Sequence, residues 1–210
     1  MLIRTELPVQ LGSLRFEDLT VTVEKAAFSE LTTCAADYRR RFGDIAISEV
    51  PGVQEARHLF RLMGIEPTKH RPASEALLRR ALKDKPLYSV NSLVDVCNWC
   101  ALDSLLPNGV YDYAKINGNI TLRAGLEGEE YFGLTHEVVH LAGRYTLADD
   151  EGPFGSPKTD SVRTAVDLNT HSVLIVVYAT RDFPAQQFNR CIRLLAERVT
   201  CFCGGREIRA

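Results

Sequence analysis

The sequence predicts an α+β fold, a layered sandwich of mixed and antiparallel sheets with packed helices, and three observations carry the prediction. Helix-period patterning occupies the first half of the chain and its last stretch, while period-two alternation fills much of the region between Asn119 and Tyr178. The composition, 45% hydrophobic and 25% charged over 210 residues, supplies enough apolar material for one well-buried core. No low-complexity tract, internal repeat or long Gly/Ser linker divides the chain, so one domain over residues 1–210 is expected.

Taken in order, Leu19-Thr-Val-Thr-Val23 reads as a strand and Ala26 to Phe42 as a helix. Ser74 is placed to cap a helix whose Leu77, Leu78, Ala81 and Leu82 form an apolar stripe, with Arg79 and Arg80 on a more exposed face and Pro86 closing it. Asn91 to Leu106 is apolar nearly all round, the mark of a buried helix. After Pro107-Asn-Gly109, alternation predicts strands at Asn119–Ala124, Glu137–Ala142 and His171–Tyr178. A last helix over Pro184–Arg198 groups Phe188, Cys191, Ile192 and Leu195, and Val199–Cys203 returns as a strand.

Several function classes drop out on composition. No apolar run approaches the ~20 residues of a membrane helix, and Met1-Leu-Ile-Arg-Thr-Glu6 lacks the layout of a signal peptide. A cytoplasmic protein without a membrane partner is therefore expected, with its six cysteines reduced and mostly in the core. A net charge of -2 argues against indiscriminate nucleic-acid binding, so any RNA contact must be local. One locality fits: Arg61, Lys69, Arg71, Arg79, Arg80, Lys83 and Lys85 stand against only Glu66, Glu75 and Asp84. Either a solvated helix face or an RNA contact through Arg71, Arg79, Arg80, Lys83 and Lys85 produces that clustering.

Within the buried helix, Asn91, Asp95 and Asn98 fall at i, i+4 and i+7 on one face. Leaving such groups buried and unpaired costs roughly 1 to 3 kcal/mol each, so they must either cap neighbouring loops or face a ligand pocket. Downstream, Thr159-Asp-Ser-Val-Arg-Thr164 concentrates hydroxyls, a carboxylate and a guanidinium before a strand, a place to hold a ribose or an ammonium, or a plain solvated loop.

His136-Glu-Val-Val-His140 matches the zinc-protease pattern, but that chemistry needs a helix and a third ligand. Here Gly133 and Gly143 bracket the motif, Val-Val lies inside it, and Thr146 stands where a third histidine would fall. In a strand the two imidazoles would sit about 13 Å apart. Cys97-Asn-Trp-Cys100 lies in an apolar helix without the turns of a zinc ribbon, and Ala148-Asp-Asp-Glu-Gly-Pro153 reads as a turn. With no G-x-S-x-G elbow, phosphate loop or dinucleotide fingerprint, no metal or cofactor is expected.

Leu93-Val-Asp-Val-Cys-Asn-Trp99, Leu106-Pro-Asn-Gly-Val-Tyr-Asp-Tyr-Ala-Lys-Ile116, Gly118-Asn-Ile-Thr-Leu-Arg123 and Ala148-Asp-Asp-Glu-Gly-Pro153 together resemble the B3/B4 editing domain of the bacterial phenylalanyl-tRNA synthetase beta subunit. With Arg71-Pro-Ala-Ser74, Leu78-Arg-Arg80 and Asp160-Ser-Val-Arg-Thr164 the chain is similar to free-standing versions of that domain, over about residues 55–180. In the synthetase the module hydrolyses tyrosine mischarged onto the tRNA for phenylalanine. The resemblance implies a sandwich fold and ester hydrolysis on aminoacyl-tRNA in trans, with tRNA or aminoacyl-tRNA as partner. It places Asn91, Asp95, Asn98, Arg123, Asp160, Ser161, Arg163 and Thr164 around a substrate pocket and assigns no catalytic residue. The family's helix asparagine falls on Asn98, its adjacent threonine on Cys97, its histidine before the aromatic-Asp pair on Gly109, and its pocket-strand glutamate on Val176. Those departures keep a second function open, a non-catalytic module for a free amino acid, a small ligand or tRNA.

Overall fold

The computed structural model describes residues 3–208. Its centre is a strand that is buried on both faces. Strand β9 (Val173–Thr180, VLIVVYAT) is buried at every position, so its alternating side chains must serve two cores. Val173, Ile175, Val177 and Ala179 join Leu14 and Phe16 of β2 (Val9–Leu19) under Leu93 and Val96 of α4 (Ser92–Ser104) and Phe188, Leu195 and Val199 of α5 (Ala185–Cys203). Leu174, Val176 and Tyr178 point the other way, onto Leu122, Leu147 and Phe154 of a second sheet and onto Phe60 and Met63 at the end of α2 (Val53–Leu62). The result is three layers: helices, sheet, sheet.

The central sheet runs β10-β2-β9-β3, with β3 at Asn108–Asp112 and β10 at Gly204–Glu207, all antiparallel. The outer sheet runs β1-β4-β7-β8: β1 (Arg4–Thr5) lies parallel to β4 (Thr121–Ala124), and β7 (Tyr145–Asp149) and β8 (Gly152–Gly155) continue it antiparallel. A separate ribbon pairs β5 (Glu130–Phe132) with β6 (Val138–His140). Two further helices, α1 (Ala26–Phe42) and α3 (Ala73–Leu82), cover α4 through Leu31, Ala35, Val50, Val53, Leu78, Leu102 and Leu105. Fully burying side chains of this size contributes about 1.5–3 kcal/mol apiece, which is why an all-round apolar α4 sits between layers.

The α+β class and the helix over Ala26–Phe42 agree with the sequence prediction, and four local expectations need correction. The first strand is Val9–Leu19, and Thr20–Val23 leaves the sheet because Thr22 exchanges hydrogen bonds with Ser92 at the start of α4. Ser74 is not a cap: α3 begins at Ala73 behind Pro72, and the buried Ser74 hydroxyl donates to the Leu105 carbonyl, 3.2 Å away. That helix ends at Leu82, and Pro86 lies beyond it with its carbonyl accepting from Arg80. Val199–Cys203 remains helical, because Leu195, Val199 and Cys203 at i, i+4 and i+8 extend the buried stripe of α5 until Gly204, at φ 66°, turns the chain into β10. No helix among the described residues is long and apolar enough to cross a membrane.

Candidate functional site

The second-layer face of β9 meets β3 at a pair of residues that carry no polar side chain, Gly109 opposite Val176. Asn108, just before Gly109, donates its amide to the Cys97 carbonyl at 3.0 Å and ties the start of β3 to the middle of α4. A Cβ on Gly109 would collide with the Tyr111 hydroxyl and lie 3.0 Å from Asp160 Oδ1. A Cβ on Gly155, from the outer sheet, would meet the same tyrosine, 2.7 Å from Cζ. Two glycines on two sheets thus form a slot, and the Tyr111 ring fills it. The ring packs edge-on against Phe154 with centroids 5.0 Å apart, and its hydroxyl sits 3.5 Å from that of Tyr178.

Asp160 closes one side of this cluster. Its Oδ1 is buried and without a hydrogen-bond partner. Burial pushes its carboxyl up to about 7; the Tyr111 hydroxyl and the Val110 N–H lean toward the carboxyl and oppose the rise, but neither satisfies Oδ1 in good geometry. Burial likewise raises the Tyr111, Tyr178 and Tyr131 phenols, so all three stay protonated at neutral pH. The loop carrying Asp160 is fixed from the ribbon: the Tyr131 hydroxyl donates to the Thr159 carbonyl at 2.8 Å and to Ser156 Oγ at 3.3 Å.

Beside that loop the surface is cationic. Burial, then the charges of Lys158, Arg144 and Lys69, hold the His70 imidazole below its usual value, and burial with Arg144 does the same for Lys158. Close backbone approach brings these groups together, since Gly64 abuts the Gly143 carbonyl and Tyr145 N–H donates to the Met63 carbonyl at 3.1 Å. A buried carboxyl with an idle oxygen therefore lies two residues from a cationic rim.

The other residues singled out in the sequence have different surroundings. Asn91 caps α4, accepting from Val94 N–H at 2.9 Å, and Asp95, fully buried, accepts from Val90 N–H at 3.0 Å and from the Ser89 hydroxyl at 2.6 Å. Both hold the loop leading into α4, whereas Asn98, half-buried farther along, belongs to neither network. Arg123 grips Glu129 with two hydrogen bonds of 2.8 and 2.6 Å, joining β4 to the ribbon. Arg163 forks onto Asp149 at 2.8 and 3.0 Å and reaches the Gly152 carbonyl, Ser161 Oγ accepts from the Arg163 N–H, and the buried Thr164 hydroxyl donates to the Phe154 carbonyl. These bonds fix the turn after β7 and the segment before β9. Asp160 alone of the eight meets the Gly109 notch.

The basic candidates divide as well. Arg80 curls onto the Pro86 carbonyl and stacks 4.7 Å above the Tyr88 ring, Lys83 and Lys85 are exposed, and Arg71 and Arg79 flank the buried carboxylate of Glu75. His136 lies in a turn at φ 63° and His140 in β6, so His136–His140 forms the hairpin end of the ribbon and not a helix.

A family model described as the B3/4 domain matches residues 55–194, and the chain belongs to that family. It is 36% identical over 118 residues to a phenylalanine-tRNA ligase beta subunit of Brucella abortus, covering 55% of this chain and 15% of that subunit. It is 33% identical over 105 residues to that of Bartonella henselae, covering 49% and 13%, and 35% identical over 79 residues to that of Chromobacterium violaceum, covering 37% and 10%. The chain thus spans a small fraction of the curated relatives it matches. Among solved structures it is similar to an N-terminal fragment of the phenylalanyl-tRNA synthetase beta subunit of Pyrococcus horikoshii, at a TM-score of 0.46 and 18% identity over 55% of this chain and 40% of that one. The chain is a tRNA-synthetase-related module.

Proposed function

We propose that this module binds the charged end of an aminoacyl-tRNA beside the Gly109–Val176 pair and hydrolyses its ester in trans. One observation carries the reading: Asp160 turns a buried, unpartnered carboxyl oxygen toward the Gly109 notch. The adjoining rim of Lys69, Arg144 and Lys158 adds positive charge where terminal phosphates would lie. An aminoacyl ester is already activated, so positioning a water and stabilising the developing oxyanion are enough. With its carboxyl near 7, Asp160 can take a proton from that water or hold the substrate ammonium, and the protonated Tyr111 and Tyr178 hydroxyls supply donors. Because Tyr111 already fills the slot between Gly109 and Gly155, the reading favours an amino acid with a small side chain. Asn98 is the remaining candidate for a substrate contact from α4.

The decisive measurement is loss of ester from a panel of charged tRNAs. Accelerated deacylation of one of them, abolished in Asp160→Asn at unchanged circular dichroism, is expected; no acceleration over buffer for any tRNA sinks the hydrolase reading. The apolar Gly109–Val176 pair favours a second reading, a non-catalytic amino-acid binder. Thermal stabilisation by a free amino acid without turnover would select it.

A further inference from the structure

Glu75 is among the most deeply buried carboxylates of the chain, 1% exposed on the first turn of α3, and three arginines converge on it. Arg57, from α2, engages both oxygens through Nε at 2.8 Å and Nη2 at 2.7 Å. Arg71 brings Nε to 3.3 Å of Oε1, and Arg79, one turn along α3, brings Nη2 to 3.7 Å of the same oxygen. Among the described residues no other carboxylate pairs with any of the three. The charges do not balance: one carboxylate faces three guanidiniums, an excess of two positive charges.

Arg57 by itself would neutralise Glu75, since a two-point guanidinium–carboxylate contact satisfies both oxygens. Arg71 and Arg79 are therefore surplus to the ion pair, and holding like charges together without an anion is unfavourable. Their side chains remain about 40% and 36% exposed, so their outer nitrogens reach solvent, yet Arg79 Nε is buried without a partner. Glu75 acts as an internal strut that aligns planar donors toward one surface point. That is the donor set for a tetrahedral oxyanion carrying more than one acceptor oxygen.

We infer that Arg57, Arg71 and Arg79, arrayed on Glu75, form a phosphate site whose occupant is a backbone phosphate of RNA. The choice of RNA rests on the aminoacyl-tRNA reading above, and it is favoured by the continuing positive charge on the same helix–loop segment, Arg61, Lys69, Lys83 and Lys85. Glu75 and Arg57 are positioning and binding residues here, distinct from the Gly109–Asp160 site.

The test measures binding of uncharged tRNA to the full chain by fluorescence anisotropy across a salt series, alongside calorimetric titration with inorganic phosphate. Arg71→Ala/Arg79→Ala is expected to weaken tRNA binding about tenfold or more and to lower the salt slope by about 2, one per lost phosphate contact. The exposed Arg193→Ala on α5 serves as a charge-matched control and should leave both unchanged. Glu75→Gln should weaken tRNA binding at unchanged net arginine content, a response that simple charge counting does not produce; if it unfolds, the double arginine variant still decides. Equal affinity and slope for wild type and double variant overturn the site. Loss of inorganic phosphate binding with tRNA binding intact overturns RNA as its occupant. Ester loss from a short aminoacyl ester lacking phosphates reports on the Asp160 site alone, so a failed hydrolase reading and a failed phosphate site give different results.

Discussion

Gly109 and Val176 stand directly opposite one another in the β3–β9 register. They are the two positions at which the family's histidine and pocket glutamate are replaced, so the fold brings both departures to a single point. The vacated volume is not empty: Tyr111, two residues along β3, lays its ring over Gly109 and against Gly155.

Restoring a side chain at Gly109 is therefore expected to be costly. In Gly109→Ala the new methyl meets the Tyr111 hydroxyl and ring, which Phe154 and Tyr178 hold in place, and overpacking of this kind destabilises by about 1–3 kcal/mol. Urea unfolding should report the loss, and the same change in a Tyr111→Ala background should cost clearly less. Equal costs in the two backgrounds would show that Tyr111 is not what the methyl strikes.

Asp160 sets a pH dependence with a defined sign. Its folded carboxyl is raised to about 7 from an unfolded value near 3.8, so the folded state binds the proton more tightly over that interval. Its contribution is fully present at pH below about 4 and declines as pH rises through 7, by as much as roughly 4 kcal/mol at about 1.4 kcal/mol per pH unit. Asp160→Asn should flatten thermal stability between pH 4 and pH 8 relative to wild type. A wild-type profile that rises over that range, with the variant parallel to it, would contradict this account.

How far the sequence disclosed these features depends on the range of each signal. The period-3.6 stripe at Leu31 and Ala35 and the eight-residue apolar run of β9 are local patterns, and both elements were legible. Asp160 was legible as a polar residue ahead of a strand, but its partners Tyr111, Tyr131 and Tyr178 were not. Tyrosines alternate with apolar residues in any half-buried strand, and only the sheet-on-sheet stacking gathers their hydroxyls. Arg57 and Glu75 are eighteen residues apart on separate helices, so sequence displayed the net positive charge and concealed the buried carboxylate organising it. The end of α5 was misread because Val199-Thr-Cys-Phe-Cys203 has strand-forming residues while its burial follows the helix.

The asparagine–aspartate stripe on α4 provides a contrast between positions with identical spacing. Asp95 accepts two hydrogen bonds from the loop at Ser89 and Val90, and Asn98 belongs to no such network. Asp95→Ala strands the Val90 N–H and should destabilise by about 2 kcal/mol or more, whereas Asn98→Ala should stay within about 1 kcal/mol. Chemical denaturation distinguishes them. If the proposed substrate contact is real, Asn98→Ala should still impair deacylation, which separates a binding role from a structural one.

Removing Glu75 tests the opposite case, a buried charge whose partners outnumber it. Glu75→Ala leaves Arg57, only 22% exposed at its side chain, beside Arg71 and Arg79 with no anion between them. Breaking a buried pair from one side costs about 3–5 kcal/mol, and like-charge repulsion adds to it. Inorganic phosphate should then stabilise Glu75→Ala at least as much as wild type, because an external anion can take the place of the lost carboxylate among the three arginines. Thermal melts of both proteins in phosphate and in chloride at matched ionic strength measure this. A variant as stable as wild type in chloride would mean that Glu75 contributes nothing to holding the arginines, and their alignment would need another cause.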